Sequence, residues 1–117
     1  MTRLAQLQLD DENGITVATV HGEIDLSNAA ELEMAISHAV GNEAAGLVVD
    51  LADVDYLDSS GVTLLFNLAR RVARRQQEFV AVVPADAHVR EILTLSGATE
   101  ALDLRDSLHE ALSQVQR

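Results

Sequence analysis

The stretch "GLVVDLADVDYLDSSGVTLLFNLARR", residues 46–71, decides how the rest of the chain is read. It opens with a continuous apolar run, residues 46–51, the pattern of a strand covered on both faces. It closes in helical period: from residue 60 onward Val62, Leu65, Phe66, Ala69, Val72 and Ala73 share one face. Arginines at 70, 71, 74 and 75 follow late, where they complement the negative end of a helix dipole. Between strand and helix sit Asp58, Ser59, Ser60 and Gly61. A strand, a short polar loop and a helix predict a crossover unit, and hence a parallel neighbouring strand.

Reading outward gives the remaining elements. Residues 4–9, LAQLQL, alternate, with Leu7 and Leu9 on one face and Gln6 and Gln8 on the other. Asn13-Gly14 predicts a hairpin turn because both residues tolerate positive φ, and residues 15–22, ITVATVHG, return as a second strand. From Ser27, read as an N-cap, Ala29, Leu32, Ile36, Ala39 and Val40 keep helical spacing, with Glu31 and Glu33 early and Gly41 and Gly46 bracketing the exit. Downstream, residues 78–83, EFVAVV, form a buried strand stopped by Pro84. Residues 85–97 place Val89, Ile92 and Leu93 in helical register and end at Gly97, a C′ residue. Residues 101–104, ALDL, give a short last strand, and a helix capped by Asp106 closes the chain with Leu108, Ala111, Leu112 and Val115 inward. The order is ββαβαβαβα: a single α/β domain over residues 1–117, with a four- to five-stranded mixed sheet and packed helices. Loops that leave the carboxyl ends of strands gather at one edge of such a sheet and tend to carry function. The Asp58–Gly61 loop is one of them.

Composition narrows the chemistry. Of 117 residues, 48% are hydrophobic and 3% aromatic, so the core is built of Leu, Val, Ile and Ala. There is no cysteine, which removes disulfides, thiolate ligands and cysteine nucleophiles together. His21, His38, His88 and His109 show no i, i+4 pairing, and no metal site is expected. No apolar run approaches the roughly 20 residues that cross a bilayer, and the N-terminus lacks a signal-peptide pattern. A soluble, cytoplasmic protein is the expectation. Nineteen acidic residues face eight basic ones, all arginine, for a net charge of −11. That charge repels nucleic acid and anionic membrane and favours a partner with a basic surface; it serves solubility as well.

Four readings compete for Asp58-Ser59-Ser60-Gly61. A helix cap needs only one such residue, and three candidates stand in a row. A serine hydrolase would want a G-x-S-x-G elbow, which is absent, and a base in reach. A phosphoaspartate receiver would use Asp10, Asp11 and Asp50, but Asp10 and Asp11 lead into a hairpin and the chain has no lysine to steady a phosphoryl group. The D-x-D of residues 53–55 has no supporting elements. In the fourth reading Ser59 is acted upon: a phosphate there adds about −1.5 to −2 charges, beside Asp58 and near Asp55 and Asp25. That disturbs a docked partner more than it disturbs the fold.

Two segments together, VHGEIDLSNAAEL (residues 20–32) and LVVDLADVDYLDSSGVTLLFNLAR (residues 47–70), resemble the STAS domain of bacterial anti-sigma factor antagonists. The resemblance covers nearly the whole chain. It implies no enzymatic activity and no cofactor, and a partner that is an anti-sigma factor and serine kinase of the GHKL ATPase type. That kinase would phosphorylate Ser59, and a PP2C-type phosphatase would restore it. Asp58, Asp25, Ser27 and Asn28 would border the partner-binding patch, with Ser60 a cap or second hydroxyl and Gly61 allowing close approach of the partner backbone. Gly22 reads as a turn or bulge. The free protein is expected to be a monomer. STAS domains also serve as cytoplasmic subunits that stabilise lipid-transport ATPases, and there Ser59 would be a helix cap only.

Overall fold

The computed structural model describes residues 5–116, so Leu4, at the start of the first predicted strand, and Arg117 lie outside the described residues. The elements are β1 (Gln6–Glu12), β2 (Ile15–Ile24), α1 (Ala29–Ala39), β3 (Gly46–Leu57), α2 (Ser59–Ala73), β4 (Glu78–Val82), α3 (His88–Leu95), α4 (Ala98–Ala101), β5 (Leu104–Arg105) and α5 (Leu108–Gln116). Among the described residues the sheet has five strands in the order β1-β2-β3-β4-β5. The β1–β2 pair is antiparallel, and the other three pairs are parallel. This is the mixed sheet expected, with β2 running on to Ile24, β3 running on from the predicted 46–51 to Leu57, and one added helical turn. Residues 98–101 form the extra turn α4, so the predicted strand 101–104 shrinks to Leu104–Arg105.

The hairpin forms where Asn13 and Gly14 adopt φ of 54° and 88°, and the Gly14 N–H donates to Asp11 Oδ1 at 2.8 Å. Strand β3 is the centre of the molecule. Leu47, Val49 and Leu51 face a core with Ile36 of α1, Leu64, Leu65 and Leu68 of α2 and Leu93 of α3. Val48 faces the opposite side, where Ile15, Val17, Val80 and Val82 pack against Ala111 and Val115 of α5. The sheet is therefore covered on both faces, which accounts for a run at 46–51 that is apolar but for the half-buried Asp50. Among the described residues no helix is long and apolar enough to cross a membrane.

The helix faces differ in detail from the periodic reading. In α1 the predicted inward Ala39 is exposed, while Ser37 is buried and donates to the Glu33 carbonyl at 2.8 Å. Back-bonding to the preceding turn is how a buried serine satisfies its hydroxyl. In α2 the most buried positions are Gly61, Leu64, Leu65, Leu68 and Val72; Ala73 is exposed, and Arg74 is already the C-cap. The last helix is capped by Ser107, whose Oγ accepts from the Glu110 N–H at 3.2 Å, and not by Asp106. Gly97 ends α3 in the left-handed region at φ 83°, as expected of a C′ residue.

The two crossovers are clamped to each other. Gln77 is 6% exposed, and its Nε2 donates to the carbonyls of Gly41 (2.8 Å) and Ala44 (3.0 Å) in the α1–β3 connection. Arg75 Nη1 donates to the Val40 carbonyl at 3.0 Å. These carbonyls lie where no helix or strand ladder serves them, so the Gln77 amide is their substitute for water. Gln77→Ala should lower the unfolding free energy by about 1 kcal/mol, the scale of a net hydrogen bond, because the Gly41 carbonyl keeps the Ala44 N–H and the buried Gln77 Oε1, which has no partner among the described residues, is removed as well. Urea melts with an unchanged m-value would show it, and a loss under about 0.5 kcal/mol would contradict the assigned role.

Candidate functional site

Strands β2 and β3 run parallel and end together, Ile24 opposite Leu57. At that edge the Asp58 N–H donates to the Ile24 carbonyl at 3.2 Å. This bond brings the β2–α1 loop, with Asp25, Ser27 and Asn28, beside Asp58 and the first turn of α2, with Ser59, Ser60 and Gly61. Gly22 precedes the junction at φ 98°, where the β2–β3 register slips. It is the bulge the sequence suggested, and it turns the end of β2 toward the site.

Asp58 holds extended backbone, φ −101° and ψ −166°, and is the N-cap of α2. Its Oδ1 accepts from the N–H groups of Ser60 (2.8 Å) and Gly61 (3.3 Å). The cap is thus filled by Asp58 alone. Ser59 is the first helical residue and is exposed, and among the described residues no hydrogen bond involves its hydroxyl. Ser60 is half-buried and contributes its backbone N–H to the cap. Of the N–H groups expected to greet a phosphate, two are already taken by Asp58, which leaves that of Ser59 itself.

Gly61 faces inward. A Cβ there would stand 2.8 Å from Leu57 Cβ and 3.3 Å from Ile24 Cγ2. The close approach it permits is that of α2 to the ends of its own β2 and β3. The expected approach to a partner's backbone is not what this buried glycine provides.

The neighbouring loop is equally specified. Asp25 Oδ1 accepts from the backbone N–H and hydroxyl of Ser27, at 2.9 and 2.5 Å. Ser27 therefore serves Asp25 and does not cap α1, because a carboxylate two residues back is a stronger acceptor within easier reach. Asn28 holds the cap position without a side-chain cap bond. It is 5% exposed, its Oδ1 accepting from the Asp25 N–H (3.0 Å) and its Nδ2 donating to the Glu23 carbonyl (2.9 Å). Asn28 pins the loop from beneath. Asp25, half-buried, and Ser27, exposed, are left at the surface.

Three residues that the sequence did not single out complete the surface. Leu26 is 82% exposed, Leu95 81% and Tyr56 44%. Leu26 and Ser59 line a depression of about 270 Å³ that runs between α1 and α2. On the other side, Ser59, Tyr56 and Leu95 line one of about 410 Å³ that runs toward α3. Ser59 stands between two hollows, a mixed one bordered by Leu26, Thr63 and Glu33 and a mainly apolar one bordered by Val62, Ile92 and Leu95. A signal was present: Leu26 is an apolar residue inside a polar turn, and Leu95 falls off the Val89–Ile92–Leu93 face.

The groups that the rival readings would use are engaged elsewhere or apart among the described residues. Asp11 is engaged by the hairpin, and Asp50 Oδ1 accepts from the Ala52 N–H at 3.0 Å. His21 Nδ1 lies 3.5 Å from Asp53 Oδ2, and no hydrogen bond joins a histidine to Ser59. Among the described residues no group of three or more His, Asp or Glu is placed to hold a metal ion.

A parallel-sheet domain with an opening hairpin, whose β2 and β3 ends present an Asp-Ser-Ser-Gly helix start, is the arrangement of a STAS domain. The model of that family matches residues 6–111, and the chain belongs to it. Among curated relatives it is 35% identical over 105 residues to the anti-sigma-F factor antagonist RsfB of Mycobacterium tuberculosis, covering 90% of this chain and 84% of that one. Its fold superposes with a TM-score of 0.87 on the crystal structure of an anti-sigma factor antagonist from Mycobacterium paratuberculosis, at 30% identity over 97% of this chain and 96% of the other. The antagonist SpoIIAA shares the fold at 22% identity, TM-score 0.77, over 95% of this chain and 96% of its own.

Because Asp58 alone caps α2, Asp58→Ala should cost about 1 kcal/mol of stability. Asp58→Asn, which keeps an acceptor at Oδ1, should cost less than half as much. Equal losses in thermal or urea melts would show that charge, and not the cap bond, is what Asp58 supplies.

Proposed function

We propose that the chain is an anti-sigma factor antagonist whose binding face is centred on Ser59. In this reading it binds an anti-sigma factor of the GHKL serine-kinase type while Ser59 is unmodified, which frees a sigma factor. Phosphorylation of Ser59 switches it off, and a PP2C-type phosphatase restores it. The observation that carries the proposal is the division of labour at the start of α2: Asp58 does the capping, and Ser59 offers an exposed, unengaged hydroxyl between two surface hollows. The names of the relatives support an anti-sigma factor as the partner, and the kinase and phosphatase types rest on the family resemblance.

The physics of the switch follows from the neighbours. Leu26, Leu95 and Tyr56 supply apolar surface whose burial drives docking, at about 25 cal/mol per Å², and exposed leucines of this kind on a small domain mark an interaction site when they cluster. Asp25 and Asp58 bring negative charge to the face, suited to a basic partner surface. A phosphate on Ser59 would bring about −1.5 to −2 further charges between the hollows, one residue from the Asp58 carboxylate. Inside a closed interface that charge must be paired or it costs several kcal/mol, on the order of the penalty for an unmatched buried ion. The switch would act on the interface and leave the core untouched. The other family role, stabilising a lipid-transport ATPase, treats Ser59 as a cap, and that role is filled by Asp58.

Three variants test this. Ser59→Ala should capture a GHKL-type kinase from the native cytoplasm in the presence of ADP, and Ser59→Asp should bind the same protein at least about tenfold more weakly, the scale of an unpaired charge at an interface. Equal binding by both variants would overturn the switch. The Leu26→Ala, Leu95→Ala double variant should melt within about 0.5 kcal/mol of wild type, as exposed substitutions do. It should nevertheless lose partner affinity about tenfold or more, as hot-spot truncations do.

A further inference from the structure

Four of the chain's eight arginines, Arg70, Arg71, Arg74 and Arg75, fall within six residues at the end of α2, on a protein of net charge −11. Arg75 is used internally, on the Val40 carbonyl. Arg70 Nη2 donates to Asn67 Oδ1, a neutral partner. Arg71 and Arg74 make no side-chain hydrogen bond, and among the described residues none of the four forms an ion pair. The nearby Glu33 carboxylate accepts instead from Asn67 Nδ2 at 3.1 Å. Complementing the helix dipole accounts for charges in the last turn, but not for a cluster left unpaired by so many carboxylates.

The cluster lies at one end of a channel. The hollow beside Ser59 shares Ala30 and Glu33 with a second, of about 340 Å³, bounded by Met34, His38 and Arg71. That one leads in turn to a third, of about 130 Å³, bounded by Asn67, Arg70 and Arg74. Met34 is 62% exposed on its wall. Helices α1 and α2 lie side by side along the channel, so it follows α2 for its length, roughly 22 Å at 1.5 Å per residue. The Glu33 carboxylate borders all three hollows and is held by Asn67; beyond it Arg70, Arg71 and Arg74 make the far end basic, while the end at Ser59 carries no cation.

We propose that this channel is the second half of the docking surface and takes an acidic, amphipathic segment of the protein that covers Ser59. Apolar side chains of that segment lie against Ala30 and Met34, and its carboxylates meet Arg70, Arg71 and Arg74. A partner must then be basic at one end of the contact and acidic at the other, which fixes the direction in which it docks and disfavours partners of a single charge. The proposal rests on reading the Ser59 face as a partner surface. Nucleic acid would also meet arginines, but the apolar wall of Ala30 and exposed Met34 suits side chains of a protein segment and not a phosphate backbone.

The test uses the full chain and the kinase captured by Ser59→Ala. In the Ser59→Ala background, R70E/R71E/R74E should weaken binding about tenfold or more, and R70K/R71K/R74K should stay within about threefold, because charge is what the channel end supplies. Thermal melts confirm that both fold. If the Glu triple binds like its parent while Ser59→Asp still weakens binding, the channel is refuted and the Ser59 reading stands. If the Glu triple weakens binding and Ser59→Asp does not, the channel stands and the switch is refuted. Should no kinase be captured, amide chemical-shift titration with a short Leu/Glu amphipathic peptide decides. Shifts at Met34, Ser37, Arg71 and Arg74 that are absent with the Leu/Lys counterpart, and lost in the Glu triple, support the channel. No shifts there, or shifts produced by a DNA duplex in place of the peptide, overturn it.

Discussion

The bond from the Asp58 N–H to the Ile24 carbonyl, 3.2 Å long, is where the fold and the site become one thing. It extends the parallel β2–β3 ladder by one step and sets the start of α2 against the end of β2. Gly61 makes that position possible, since any side chain there would run into Leu57 and Ile24. Asp58 then turns its carboxylate onto the Ser60 and Gly61 N–H groups. With backbone and cap both fixed, the one orientation left to Ser59 is outward. The exposure of its hydroxyl is a consequence of packing beneath it.

The same constraint assembles the surroundings. Asn28, buried and bonded to Asp25 and Glu23, holds the other loop at a height set by β2. Leu26 is thereby left standing in solvent next to Ser59, and Leu95 does the same from α3. Apolar groups held out of the core by well-satisfied polar ones are costly to leave exposed, and burying them against a partner recovers that cost. These exposed side chains beside Ser59 are what the proposed docking face rests on.

Much of this was legible in the sequence, for identifiable reasons. The mainly apolar run at 46–51 reported a strand covered on both faces, and the structure places α5 on the side opposite the other helices. Asn13-Gly14 and Gly97 were legible because positive φ leaves few residues to choose from. The caps were less so. Ser27 and Asp106 each sit one residue before the true helix boundary, and adjacent polar residues compete for the same N–H groups. The turn α4 has too few residues to show a period. Leu26, Tyr56 and Leu95 were missed because a single exposed apolar residue is ordinary on any surface; only their convergence on Ser59 gives them meaning, and convergence is a property of the fold.

The central claim is that Ser59 is the residue on which the partner acts. The most direct measurement is phosphopeptide mapping of the chain after incubation with ATP, magnesium and the captured kinase. A single phosphate on the peptide containing Ser59, absent from Ser59→Ala, is the predicted result. A chain that remains unmodified, or one that carries its phosphate on Ser60 or elsewhere, would contradict the account.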